Sequence, residues 1–120
     1  METVQRTYQY TLPGPVAALG ALITTADGLS RWFADSAAQD GEWLTFLFED
    51  DEPRARVLIQ TARRIRFQWE AQDDIIDLRL SEGPAGTLLE VVASTRADEL
   101  EEARIMWDGS IALLIGVLNQ

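Results

Sequence analysis

The side chains of this sequence that could do acid–base chemistry are carboxylates and tyrosines, because the chain contains no histidine, cysteine or lysine. Histidine triads, thiol nucleophiles and Schiff-base lysines are therefore excluded. Glu70, Asp77 and Glu90 fall on predicted strands, but alternation turns Asp77 and Glu90 away from the core face. Tyr8 and Tyr10 are the phenols of the first strand. Since no nucleophile–base pair emerges, the sequence favours a non-catalytic role without a cofactor or metal.

A second set of candidates is apolar. Strand alternation and helical spacing turn nine side chains toward one another between a predicted sheet and a predicted helix. They are Phe46, Phe48, Phe67, Trp69, Leu78, Leu89, Trp107, Ile111 and Leu114. Because ligand sites are mostly apolar with a few polar groups, this set predicts a site for a small apolar or amphipathic molecule. The alternative is that these side chains simply fill a core. Trp69 and Trp107 are the preferred wall residues, since large aromatic side chains are rarely buried completely.

Arginines supply the polar candidates of this predicted site. Arg104 lies at the edge of the helix stripe, where its guanidinium would orient a carboxylate or phosphate on the ligand. The alternative is surface pairing with Glu101 or Asp108, and Arg54 and Arg56 face the same choice. Residues 63–66 carry a short basic cluster that is interpreted as a solvated strand face. The acidic stretch at residues 50–53 is interpreted as a hairpin turn, because it lacks the glycine and distal glutamate of a calcium loop.

One long helix and a series of strands must position these residues. Apolar residues recur at steps of three and four over residues 98–119, and acidic residues crowd the first turn, as is typical of an amphipathic helix. Alternating segments at residues 3–12, 42–49, 54–60, 63–70, 75–80 and 87–94 predict six strands. Residues 16–22 and 25–33 predict two short helices, and residues 34–41 a polar loop. Short turns between successive strands favour an antiparallel sheet curved around the long helix, an α+β fold.

The opposite side of the long helix suggests an interface. It carries a line of small and apolar residues, Ile105, Gly109, Ala112 and Gly116. A glycine inside a helix costs up to about 1 kcal/mol relative to alanine, so two of them invite the hypothesis of a homodimer that packs through this side. Trp43 and Leu47, on the outer sheet face, could contribute to a contact. The alternative is a tolerated surface sequence.

Composition limits the remaining classes. A chain of 120 residues is about one domain, residues 1–120. Its net charge of −10 disfavours nucleic-acid binding, because phosphate backbones would be repelled. No apolar run reaches the roughly 20 residues that a membrane helix needs, so membrane insertion is not expected. The first residues lack a basic segment followed by an apolar one, which leaves a cytoplasmic location as the default expectation.

Several local strings resemble the START-like (SRPBCC) helix-grip superfamily. They are Leu29-Ser30-Arg31-Trp32-Phe33-Ala34-Asp35, Gly86-Thr87-Leu88-Leu89-Glu90-Val91, and Trp107 followed by Leu114 and Leu118. With Ile65-Arg66-Phe67-Gln68-Trp69, they are most similar to bacterial stand-alone START-like domains that neighbour the Aha-type co-chaperone activators of a heat-shock ATPase.

The resemblance covers nearly the whole chain and implies a cavity between sheet and long helix. Such cavities often take lipids, sterols, polyketides or hormones, whereas other members act through proteins, and some are cyclases. No catalytic signature carries over. Three hypotheses follow: binding of a small apolar or amphipathic ligand, a protein-interaction module without ligand, and, with least support, a small cyclase-like enzyme.

Overall fold

A computed structural model describes residues 2–119. The elements in chain order are β1 (Thr3–Leu12), α1 (Val16–Thr24), α2 (Ala26–Leu29), β2 (Ser36–Asp40), β3 (Trp43–Leu47), β4 (Arg54–Gln60), β5 (Arg64–Trp69), β6 (Ile75–Gly83), β7 (Gly86–Arg96), a 3₁₀ turn (Ala97–Glu99) and α3 (Leu100–Leu118). The predicted α+β class, with a large antiparallel sheet and a long C-terminal helix, is confirmed.

All seven strands form one antiparallel sheet in the order β1-β7-β6-β5-β4-β3-β2. The first strand pairs with the last along its whole length, from Thr3 opposite Arg96 to Leu12 opposite Thr87. Strands β2 to β7 pair in chain order as a meander, whereas β1 lies at one edge of the sheet and pairs with β7, the last strand of the chain. One face of the sheet packs against α1, α2 and α3, and the other faces solvent.

Strand β2 corrects the prediction of a polar loop at residues 34–41. Ser36–Asp40 pairs with β3 from Ser36 opposite Leu47 to Asp40 opposite Trp43, and it forms the edge of the sheet. Its sequence, SAAQD, has none of the β-branched or aromatic residues that mark a strand. Pairing with a strongly β-forming neighbour therefore decides its conformation, which local sequence could not reveal.

A β-bulge in β4 corrects the predicted alternation of that strand. The register with β5 shifts between Val57 and Ile59, which places Ile59 opposite Arg66 on the outer face and Gln60 opposite Ile65 on the inner face. The Gln60 side chain then donates a hydrogen bond of 2.8 Å to the carbonyl of Thr24, at the end of α1. The bulge thus ties the sheet to the short helices through a polar side chain.

The first short helix begins at Val16 as predicted, whereas the second ends at Leu29, four residues before its predicted end at residue 33. Thr25 precedes α2, and its hydroxyl accepts a hydrogen bond of 3.0 Å from the Gly28 backbone N–H, an N-cap interaction. The Trp32 indole N–H donates to the Leu22 carbonyl at 2.8 Å, which holds the segment after α2 against α1. This contact directs the following residue, Phe33, toward the sheet.

The long helix begins later than predicted. A 3₁₀ turn occupies Ala97–Glu99, and α3 starts at Leu100 without a side-chain cap from Glu99. Asp98, where the sequence predicts the helix to begin, therefore lies inside this 3₁₀ turn and does not cap α3. Trp107, Ile111 and Leu114 are the buried side chains of α3. None of the described helices is both long and apolar enough to cross a membrane.

Candidate functional site

Aromatic rings fill the space between the sheet and α3. Phe33 lies at the centre, with ring centroids 5.3 Å from Phe46, 5.8 Å from Phe48, 6.1 Å from Phe67 and 5.9 Å from Trp107. The Phe33 and Trp107 rings are stacked, whereas most other pairs meet edge to face, the arrangement that aromatic quadrupoles prefer. Phe33 is the main residue that the site prediction missed. It follows a four-residue helix, where no periodicity indicates which way a side chain points.

Seven of the predicted site residues form the closed floor of this region. Five are 0% exposed, Trp107 is 1% exposed and Ile111 is 3% exposed. The five are Phe46, Phe67, Leu78, Leu89 and Leu114. Within residues 2–119, these five side chains have no accessible surface, so they pack directly against their neighbours. The complete burial of Trp107 differs from the expectation for a large aromatic residue, because Phe33 stacks on it.

Phe48 and Trp69 differ from the other predicted residues because they are only half-buried. Both line an open cleft of about 660 Å³ between the β3–β4 turn and the end of β5. Their ring centroids are 6.5 Å apart, and each ring also contacts Phe46, at 6.0 Å and 5.4 Å respectively. The cleft therefore exposes one edge of the aromatic cluster to solvent.

Two further clefts adjoin this one along α3. One, of about 860 Å³, shares Gln72 with it and reaches Met106 on α3. The other, of about 340 Å³, shares Phe48 with it and is lined by Phe33 and Leu113. We call these three clefts together the α3 furrow. Two of its clefts reach α3, at Met106 and at Leu113, and the cleft beside Phe48 and Trp69 connects them.

Charged residues surround the opening beside Phe48 and Trp69. Asp51, Glu52, Glu70 and Arg54 line the same cleft. The Arg54 guanidinium donates a hydrogen bond to the Glu70 carboxylate and lies 4.1 Å from the centroid of the Trp43 ring, on the outer face of the sheet. The acidic stretch at residues 50–53 is a hairpin turn, as predicted, and it also forms one wall of the cleft.

Arg104 lies apart from the other predicted site residues. Its side chain is 74% exposed, and its Nε atom is 3.9 Å from a carboxylate oxygen of Asp108. It lines a separate cleft of about 320 Å³ with Tyr8, Gln9 and Tyr10, between α3 and β1. The structure thus places Arg104 on the opposite side of α3 from Phe48 and Trp69. A role for Arg104 in orienting a ligand stays a prediction.

The Tyr10 hydroxyl in this separate cleft is held as a neutral donor. It donates a hydrogen bond of 2.8 Å to the Asp108 carboxylate. Burial and this bond to an anion raise the pKa of Tyr10 well above its usual range. A phenol with such a raised pKa is a poor proton-abstracting base at neutral pH. Among the described residues, no group of three or more acidic side chains is arranged to hold a metal ion.

The outer face of the sheet carries a charge cluster that sequence reasoning interpreted as solvated. Asp77 faces outward, as alternation predicts, yet only 1% of its side chain is exposed. Arg64 donates to it through Nε and Nη2 at 3.1 and 2.7 Å, Arg79 donates at 3.2 Å, and Arg66 lies 3.6 Å away. This arrangement is an ion-pair network that covers a carboxylate.

The geometry defines the class of protein: a curved antiparallel sheet that grips one long helix, with aromatic residues between them. Residues 1–120 match the START-like superfamily domain, and the chain belongs to this superfamily. The resemblance inferred from the local strings is thereby confirmed. Comparison with curated proteins found no match to the sequence.

Solved structures of bacterial proteins share the fold. The Aha1 dimer from Colwellia psychrerythraea is 16% identical, with 92% of each chain covered and a TM-score of 0.77. A protein from Mesorhizobium loti is 16% identical, with 97% of each chain covered and a TM-score of 0.80. CalU16 from Micromonospora echinospora is 23% identical over 97% of this chain and 73% of that chain, with a TM-score of 0.69. At these identities the likeness concerns the fold alone.

Proposed function

We propose that this protein binds a small apolar or amphipathic molecule in the α3 furrow, with Phe48 and Trp69 as its principal contacts. The observation that carries the proposal is the half-buried state of these two rings in a cleft of about 660 Å³. This volume falls within the roughly 300–1,000 Å³ typical of small-molecule sites. Membership in a superfamily whose domains typically bind ligands supports the same role.

The buried residues of the predicted site would contact a ligand only if it bound more deeply than the open cleft. Phe33 separates the cleft beside Leu113 from the Phe46, Phe67 and Trp107 rings. A ligand ring that replaced Phe33 would contact all three of them. Such a ligand would exchange one aromatic contact for another, so the displacement leaves no empty space in the core.

The proposal is tested with Nile red, a neutral apolar dye, by fluorescence titration of the purified protein. We expect Phe48→Asp to weaken binding at least about tenfold, because it removes ring contact and adds a charge beside Trp69. Leu47→Asp is the matched control, since Leu47 is the neighbouring residue on the outer face and is 37% exposed. Native mass spectrometry of protein purified without detergent identifies any copurified compound.

Circular dichroism establishes that both variants are folded before binding is compared. If Phe48→Asp perturbs folding, Trp69→Leu replaces it, since leucine keeps apolar bulk and removes the indole surface. Equal dye affinity in wild type and in a folded cleft variant would overturn the proposed site.

A second candidate function is protein interaction through the outward face of α3, with a second copy of the chain as partner. Ile105, Met106 and Leu113 are 65%, 54% and 64% exposed on this helix. A Cβ atom at Gly109 or Gly116 would lie more than 4 Å from every described atom beyond its neighbouring residues and the adjacent helix backbone, so packing against the rest of residues 2–119 does not explain these glycines. Contiguous exposed apolar surface of this kind marks interaction sites. The Colwellia protein of the same fold is described as a dimer.

A further inference from the structure

We infer that the ligand of the α3 furrow carries a positive charge, so that its chemical class is an organic cation with an apolar portion. This inference rests on the proposed function and concerns the same site. Two clefts of the furrow, those that share Gln72, carry the charge that supports it. Their lining includes six carboxylates and two guanidiniums, an excess of four negative charges. The carboxylates are Asp51, Glu52, Glu70, Asp74, Glu99 and Glu102.

Both arginines of these two clefts already have anionic partners. The third cleft adds one arginine, Arg31, and one carboxylate, Asp35, so it leaves the excess of negative charge unchanged. Arg54 pairs with Glu70, and Arg96 lies 3.5 Å from the Asp98 carboxylate. Neither guanidinium is therefore available as the sole partner of a carboxylate on a ligand. A cleft lined mainly by one sign of charge concentrates ions of the other sign, so the furrow should attract cations and repel anions.

The aromatic floor adds a second, independent preference for cations. The faces of Trp and Phe rings attract ammonium and guanidinium groups that lie within about 6 Å of the ring centroid. Phe48 and Trp69 line the same cleft with ring centroids 6.5 Å apart, so a small cation in this cleft would lie near both aromatic side chains. Within residues 2–119, the cation–π contact found is that of Arg54 with Trp43, so no cation of the described chain occupies the Trp69 face.

Charge and shape together distinguish this site from one for a fatty acid or another anionic amphiphile. An alkyl or ring portion would lie along Phe48 and toward Leu113, where the adjoining cleft is lined by Phe33. The cationic group would lie beside Trp69, within reach of the Asp51, Glu52 and Glu70 side chains. An anion in the same position would meet uncompensated carboxylates, and its binding would be weaker.

The test compares three amphiphiles with the same alkyl chain and different head groups, by isothermal titration calorimetry below their micelle concentrations. The probes are decyltrimethylammonium, decanoate and uncharged decyl maltoside. We expect the cation to bind at least about tenfold more tightly than decanoate in low salt, and added salt to reduce this preference.

Variants then locate the charge effect. Asp51→Asn with Glu52→Gln should lower affinity for decyltrimethylammonium at least about threefold and leave affinity for decyl maltoside unchanged. Asp51→Asn keeps the side-chain oxygen that accepts the Glu52 backbone N–H at 3.0 Å. Asp27→Asn with Glu82→Gln is the matched control, because it changes net charge equally at residues that line none of the three clefts.

The outcomes separate this inference from the proposed function. If all three probes bind with equal affinity and Phe48→Asp abolishes binding, the inferred ligand charge is wrong and the site stands. A second outcome is that the cation affinity falls equally in the Asp51→Asn, Glu52→Gln variant and in the Asp27→Asn, Glu82→Gln control. The net charge of the protein then explains the effect, and the inference is again overturned. If no probe binds, the proposed function itself fails.

Discussion

Asp77 is a buried carboxylate held by arginines on the solvent face of a sheet. Burial by itself would raise its pKa, but hydrogen bonds from Arg64 and Arg79 outweigh burial and hold the pKa of Asp77 below its usual value of 3.8. A group whose pKa is lower in the folded state stabilises the fold above its unfolded pKa. This stabilisation is present at neutral pH and is lost as the pH falls below 3.8 and through the folded-state pKa.

We therefore expect Asp77→Asn to lower the free energy of unfolding by about 2 kcal/mol at neutral pH, because its arginine partners lose their shared anion. The difference from wild type should shrink as the pH falls below 3.8 and through the folded-state pKa, since the wild-type carboxylate becomes protonated there. Urea denaturation at several pH values measures both effects.

Asp73→Asn is the control for this prediction. Asp73 is exposed and has a φ of 58°, a conformation that asparagine also tolerates. A destabilisation by Asp77→Asn that stayed constant across the pH range would contradict the role assigned to the ionised carboxylate.

At the scale of elements, α3 has two apolar faces, and only one of them is covered. Trp107, Ile111 and Leu114 are buried against the sheet, whereas Ile105 and Leu113 face solvent. From residue 109 to residue 119 the helix carries no charged side chain. Two copies of a chain with a net charge of −10 would therefore meet with least repulsion along this half of α3.

The exposed face is also self-complementary in an antiparallel pairing about a two-fold axis. If the axis passed between Ser110 and Ile111, Ile105 would lie opposite Gly116 of the partner subunit and Gly109 opposite Ala112 of the partner subunit. Ile105 would then meet a glycine at each end of the contact, and the small residues at its centre would let the two helices approach closely, with the same patch used by both subunits. A contact made by one helix face falls below the roughly 1,000 Å² of a stable interface, so we expect a weak, concentration-dependent dimer.

Sedimentation velocity over a range of concentrations tests this pairing. Gly116→Glu and Ile105→Glu should each weaken association at least about tenfold, because each would bury a carboxylate in an apolar contact. Thr7→Glu adds the same charge on the outer face of β1 and should leave association unchanged. Identical sedimentation of wild type and both α3 variants would refute the interface.

The whole molecule distributes its charge unevenly. Five of its ten arginines, Arg54, Arg56, Arg64, Arg66 and Arg79, lie on the outer face of β4, β5 and β6. The acidic excess therefore falls on the turns, the α3 furrow and the start of α3. A net charge of −10 in 120 residues disfavours the compact state through repulsion among like charges.

We expect sodium chloride to stabilise the protein at neutral pH. Raising its concentration from about 0.05 to 0.5 M should increase the free energy of unfolding by about 1 kcal/mol, because salt screens the repulsion. The control is the same titration near the isoelectric point of about 4.3, where the net charge approaches zero and the effect should vanish. Destabilisation by salt at neutral pH would show that ion pairs such as those of Asp77 outweigh net repulsion.

The sequence by itself determined the strands other than β2, the long helix and the inward set of apolar residues. These follow from alternation and from helical periodicity, which are local properties of the chain. Local strings were also sufficient to identify the superfamily. They could not reveal β2, whose conformation depends on its partner, or the β4 bulge, which moves Ile59 to the outer face.

Tertiary structure alone decided which of the inward residues reach solvent. Phe48 and Phe46 occupy equivalent positions in the sequence pattern, yet Phe46 is 0% exposed and Phe48 lines a cleft. The path of α3 along the β7 side of the sheet makes this difference, and so does the insertion of Phe33 between α3 and the sheet. The same path places Arg104 on the far side of the helix. Whether an inward-facing side chain is covered depends on where elements distant in sequence pack against the sheet. The residue spacing within a single strand or helix contains no information about that packing.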